Sequence, residues 1–158
     1  MRRSCPLIEK MESGFTLTEL IIVMAILGAL TAIAIPNFIS MMPKYRLNGT
    51  ARQVMGDLMA ARMKAVSLNK KVKVFFFNDH QYKICDDADK NGKVSDGEGD
   101  VQLRCIQAEY PDVKFNLNKT SDPIFSPRGT ATNRTITLQN SSGSKKITIS
   151  IAGRVKIN

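Results

Sequence analysis

The chain has 158 residues, a formal net charge of +9, no tryptophan and a single histidine. That length leaves room for one modest core once a long apolar run is set aside. His80 sits among polar residues of a predicted turn, no serine lies in a nucleophile motif, and no glycine-rich phosphate loop is present, so nothing points to an enzyme.

Gly14-Phe15-Thr16-Leu17-Thr18-Glu19 opens an apolar run that continues to Ile35. At about 1.5 Å per helical residue, the 21 residues from Phe15 to Ile35 match the roughly 30 Å of bilayer hydrocarbon. Glu19 is the one ionisable group in this span. An unpaired charge there costs about 3 kcal/mol or more, so it needs a partner. The nearest candidate is the amine freed if the bond after Gly14 is cut. Thr16, Thr18 and Thr31 can return their hydroxyls to the helix backbone. Arg2, Arg3 and Lys10 precede the span and keep the N-terminus on the cytoplasmic side. Secretory signals carry their cleavage site after the apolar core; here the candidate site lies before it, so the span survives processing.

On these residues the chain resembles type IV pilins and the pseudopilins of type II secretion. The resemblance implies that a prepilin peptidase cuts between Gly14 and Phe15 and methylates the new amine. It further implies that Glu19 pairs with the terminal amine of a neighbouring subunit during assembly on an inner-membrane platform. Two opposite charges at low dielectric attract strongly enough to set the register between subunits. Removing residues 1–14 takes three bases and two acids with it, and +9 becomes +8.

Pro36 and Pro43 each lack an amide proton, which predicts a kink or a loosened turn. The resemblance implies that the helix melts at Pro36 within filaments. Helical periodicity resumes with Leu47, Ala51, Val54, Leu58, Ala61, Ala65 and Leu68 on one stripe, predicted to face a sheet. From Lys71 the period becomes that of strands. Val72–Phe77 and Gln81–Cys85 form a hairpin around Asn78-Asp79-His80. Further strands are predicted over 101–106, 113–117, 134–139, 145–151 and 154–157, with turns at Asn140–Gly143 and Ala152-Gly153. The expected class is α+β: a leader over 1–14, a long helix over 15–69 and a β-rich extracytoplasmic domain over 70–158.

Three further segments resemble the GspH/FimT group of minor pseudopilins: Leu58–Ala65 in the helix, Phe125-Ser126-Pro127-Arg128-Gly129-Thr130, and Gly153-Arg154-Val155. Lys64 stands where an acidic residue is common, which implies that a local ion pair is missing. The resemblance implies a minor subunit near a filament tip.

Cys5 leaves with the leader. Cys85 and Cys105 remain as an even pair in a compartment that favours disulfides, and a bridge would add on the order of 3 kcal/mol by loop closure. Between them, Asp87, Asp89, Asn91, Lys93 (through its carbonyl) and Glu98 fit a calcium-loop spacing, with Gly92 at the sharp turn. No apolar helices flank the loop, and a self-bonded Asx-rich turn accounts for the same residues. No cofactor is required.

Two functions stay open. In the first, the chain is a single-pass inner-membrane protein with a periplasmic domain, processed and built with other pilin-like subunits into a type II secretion pseudopilus. In the second, it is a minor type IV pilin that captures DNA through Lys145, Lys146, Arg154 and Lys156. Some members of the group are implicated in DNA capture through a G-R-x-R element; here Lys156 replaces the second arginine and lacks its planar fork.

Overall fold

The computed structural model describes residues 14–158; the expectations for Cys5 and the rest of the leader through Ser13 lie outside them. Two compact units divide the chain between Ser40 and Met41. One helix, α1 (Leu17–Leu68), runs through both prolines without leaving helical structure, so neither ends it. Each proline removes one donor from the ladder, and the hydrogen bonds of the neighbouring turns remain.

In the first unit the helix has no burial at all: every described residue up to Ser40 is exposed. Its most apolar window has a mean hydropathy of 2.3. Thr31 closes its hydroxyl onto the carbonyls of Leu27 (2.9 Å) and Gly28 (3.0 Å), as a hydroxyl must where water is scarce.

The second unit holds the whole core. Leu47, Ala51, Val54, Leu58, Ala61 and Ala65 are buried along one stripe of α1, and the three alanines let strands approach the helix closely. Leu68, the last member of the predicted stripe, is 45% exposed because the helix ends there.

The strands form two antiparallel sheets, not one. The first contains β1 (Val72–Phe76), β2 (Gln81–Asp86), β3 (Gln102–Cys105) and β5 (Ile124–Phe125), in the order β3-β2-β1-β5. The second contains β4 (Lys114–Phe115), β6 (Arg134–Asn140), β7 (Gly143–Ile149) and β8 (Val155–Ile157), in the order β4-β6-β7-β8. The β6–β7 hairpin turns through Ser141 and Ser142 in the register Asn140↔Gly143. β5 is not legible as a strand in the sequence, being two residues long and bounded by proline on one side.

Both sheets contribute to one cluster: Val72, Val74, Ile84 and Phe125 from the first, Phe115, Ile136, Leu138, Ile147, Ile149 and Val155 from the second. Phe76 and Tyr82 meet Phe115 across the sheets at centroid distances of 5.0 and 5.6 Å, edge to face. Such aromatic pairs add about 0.5–1.5 kcal/mol beyond their buried area. The Tyr82 hydroxyl donates to Asp57 on α1. Burial, reinforced by that carboxylate, pushes the phenol's pKa well above its usual range. Where α1 enters this unit, the Asn140 amide donates to the Pro43 carbonyl (2.7 Å) and to Asp112 (3.1 Å), which also accepts from Arg46 (3.3 Å).

The expected disulfide is not formed, and this corrects the sequence reading. Cys85 lies opposite Lys73, whereas Cys105 lies opposite Gln81. The two are thus four positions apart along β2, roughly 13 Å at strand rise, beyond the approximately 7 Å that a bridge spans between Cα atoms. Cys85 is a buried free thiol and Cys105 an exposed one. The missing ion pair at Lys64 is a second correction. Its ammonium lies 3.3 Å from Asp86 and 2.9 Å from Asp100, so the helix supplies the cation and the strand side supplies the acids.

Two outcomes follow from this packing. Gly153 has φ +73°, and an added Cβ would fall 2.1 Å from the Gly129 carbonyl oxygen and 2.7 Å from Arg62 Nε. Gly153→Ala is expected to cost about 2–5 kcal/mol, from strain and overpacking together, read as a lowered urea midpoint. Hydrogen bonding from Lys64 holds the Asp100 carboxyl below its usual 3.8. A depressed pKa adds stability that is complete above the unfolded value and is lost as pH falls through the folded one. Lys64→Met should therefore be less stable at pH 7, with a shallower further loss below about pH 4, measured as urea midpoints across that range.

Candidate functional site

The segment expected to be processed starts with Gly14 and Phe15, the latter 83% exposed. The amide of Glu19 donates to Thr16 Oγ1 at 3.2 Å, which makes Thr16 the N-cap and Glu19 the third residue of the helix. Thr16-x-x-Glu19 is the capping-box spacing, a signal present in the sequence and not read there as one. It gives the carboxylate a local reason for its place, since the first turn of a helix favours negative charge. It also settles where the helix begins: two residues after Phe15. Gly28 has nothing within 4 Å of where a Cβ would sit, so the helix surface there is open to a close neighbour.

The acidic loop gathers three of its predicted ligands: carboxylate oxygens of Asp87, Asp89 and Glu98 lie within 4.8 Å of one another. The loop's own donors already engage them. Asp87 accepts the amides of Asn91 (3.1 Å) and Gly92 (2.9 Å), and Glu98 accepts those of Ala88 (2.9 Å) and Ser95 (2.8 Å). Asp89 accepts the Asn91 amide at 3.1 Å, and that bond draws its pKa below the usual carboxylate value. The Asn91 side-chain oxygen takes the Lys93 amide (2.7 Å). Gly92 adopts φ +85°, and Lys71 Nζ caps its carbonyl at 2.7 Å. The donor set is of the hard-oxygen kind calcium prefers, yet the loop closes on its own amides and needs no cation for this shape.

Among the basic candidates, strand alternation separates one from three. Lys145 lies opposite buried Leu138 and so shares the inner face of its sheet. Lys146 and Lys156 lie opposite Thr137 and Thr148 on the outer face, and both are exposed, as is Arg154 two residues before Lys156. Residues 123–158 carry Arg128, Arg134, Lys145, Lys146, Arg154 and Lys156 and no Asp or Glu. Six of the chain's net +9 thus lie in the second sheet and its approaches. His80, in the turn between β1 and β2, is half-buried, and its Nε2 has no hydrogen-bond partner among the described residues.

The three family-like segments meet at one point. Arg62 Nε donates to the Gly129 carbonyl at 2.8 Å, and Gly153 packs against both. The Phe125–Thr130 segment turns tightly, with Ser126 bonded to Thr130 (2.8 Å), and Ala131 then donates to Ile151 at 3.0 Å. That path links β5 of the first sheet to the end of β7 in the second.

Residues 50–153 match the family described as type II transport protein GspH, and residues 10–35 match the prokaryotic N-terminal methylation motif. The chain is 26% identical to the pilin-like protein PilA1 of Thermus thermophilus, over 91% of this chain and 97% of that one. In structure it is similar to the type IV minor pilin FimU of Pseudomonas aeruginosa. One crystal form gives a TM-score of 0.56 at 19% identity, covering 73% of this chain and 90% of that chain. A second gives 0.53 at 19%, covering 71% and 92%. These likenesses show the pilin-like fold, a long N-terminal helix with antiparallel sheets. The chain belongs to the GspH family of type II transport proteins, pilin-like structural subunits that carry a prepilin methylation motif and are not enzymes.

Proposed function

We propose that this chain is a minor pseudopilin of a type II secretion pseudopilus, anchored in the inner membrane by α1 with its second unit in the periplasm. Prepilin peptidase cuts between Gly14 and Phe15 and methylates Phe15. The Phe15 amine and the Glu19 carboxylate then pair between neighbouring subunits, near the filament tip. The observation that carries the reading is the helix of the first unit. It is apolar, wholly exposed in the single chain, and charged only at its capped start. Its burial must come from lipid before assembly and from like helices after it. A lone carboxylate moving into such packing needs a cation, and cleavage creates one.

Breaking a buried ion pair by removing one partner costs about 3–5 kcal/mol. Glu19→Ala should therefore insert and be processed normally while its incorporation into sheared filaments falls at least about tenfold. Wild-type incorporation of that variant would refute the assigned role.

A second reading, DNA capture by a minor type IV pilin, rests on the carboxylate-free stretch 123–158 and the exposed Lys146, Arg154 and Lys156. It predicts that the detergent-solubilised chain shifts duplex DNA at low salt, and that Lys146→Glu with Lys156→Glu lowers the salt slope by about two. No shift at low salt would remove it.

A further inference from the structure

Beside the core stripe of α1 runs a second apolar stripe that the protein does not cover. Met59, Met63 and Val66 follow at helical spacing, and Met63 is 71% exposed. Across from them the β7–β8 turn presents Ile151, 70% exposed. Between helix and turn lies a cleft of about 480 Å³ floored by Met59, Met63 and Val155 and edged by Arg62 and Arg154. A contiguous apolar surface rimmed by polar groups is one mark of a binding surface.

The floor and the rim constrain the occupant differently. Methionine packs adaptably against varied apolar side chains, and methionine and arginine are enriched at protein interfaces. Arg62 uses Nε on the Gly129 carbonyl, which aims the planar fork and leaves its terminal nitrogens available. Neither Arg62 nor Arg154 pairs with a carboxylate among the described residues. The chain's own acids are unsuited to the task. None occurs after Asp122; in the 86–100 loop Asp86, Asp96 and Asp100 are engaged by Lys64, Lys70 and Lys83, and Asp87, Asp89 and Glu98 by the loop's own amides.

We infer that this cleft is a docking site for a carboxylate-bearing protein segment of a partner, anchored by an apolar side chain over Met59 and Met63. The carboxylate takes the guanidinium groups of Arg62 and Arg154, which match its geometry bidentately. Nucleic acid fits this cleft less well, because phosphates meet the rim and leave the methionine floor uncovered. The outer-face lysines Lys146 and Lys156 lie outside the lining, so the two surfaces can be tested apart.

The test uses the full-length chain in its own cells, with benzoylphenylalanine replacing Met59, photocrosslinking, and mass-spectrometric sequencing of the linked peptide. The expected result is a peptide from another protein carrying Asp or Glu within a few residues of the linked position. Crosslink yield should fall at least fivefold with Arg154→Glu and remain with Lys156→Glu. Unchanged thermal melting of the Arg154→Glu chain separates lost docking from misfolding; if that variant melts early, Arg154→Gln replaces it in the same comparison. The proposal is overturned by crosslinks to nucleic acid or lipid, by a linked peptide without carboxylates, by a yield indifferent to Arg154, or by no crosslink above that from a control site at Ser141. None of these outcomes depends on Glu19, so failure here leaves the assembly role of the helix standing.

Discussion

The contact on which the second unit turns is the Arg62 guanidinium bound to the Gly129 carbonyl, with Gly153 pressed against both. The chain passes from one sheet to the other through the Phe125–Thr130 turn, and a helix arginine holds that turn at its tightest point. Gly129 and Gly153 both adopt positive φ, so backbone comes close enough for a charged donor to reach a carbonyl that no strand partner takes. Such a hydrogen bond to a charged group contributes about 1.5–3 kcal/mol.

Charge is sorted in the same way. The acidic loop draws Lys64, Lys70, Lys71 and Lys83 onto itself, so those lysines add little to the outward field. The C-terminal stretch 123–158 stays positive throughout, because no acid within it offsets its six basic residues. A net charge of +9 spread evenly would say little about partners. The same charge concentrated on one sheet and one cleft directs attention to two definite surfaces, one of lysines on an open sheet face and one of arginines over methionine.

The first unit follows a different rule. Apart from the donor lost at Pro36, its helix ladder is satisfied internally, as a segment in hydrocarbon requires, and side-chain burial is left to its surroundings. Thr16 starts the helix and places Glu19 in the first turn. The carboxylate that first stands out as an anomaly in an oily run sits in the first turn of a helix, where negative charge is favoured.

The Gly14–Glu19 motif, the apolar run and the stripe from Leu47 to Ala65 are legible because each is a local pattern: a cap, a length, a 3.6-residue period. Strand positions and the Asn140–Gly143 turn follow from alternation and turn chemistry for the same reason. The Cys85–Cys105 bridge is misread because pairing depends on register between β1, β2 and β3, which composition does not carry. Lys64 reads as a lost ion pair because its partners, Asp86 and Asp100, lie more than twenty residues away. The chain by itself thus determined that an apolar helix with one acid leads an α+β domain. Only the tertiary structure decided that there are two sheets, that Arg62 joins them, and which cations are left without a partner, because those depend on distances between residues remote in sequence.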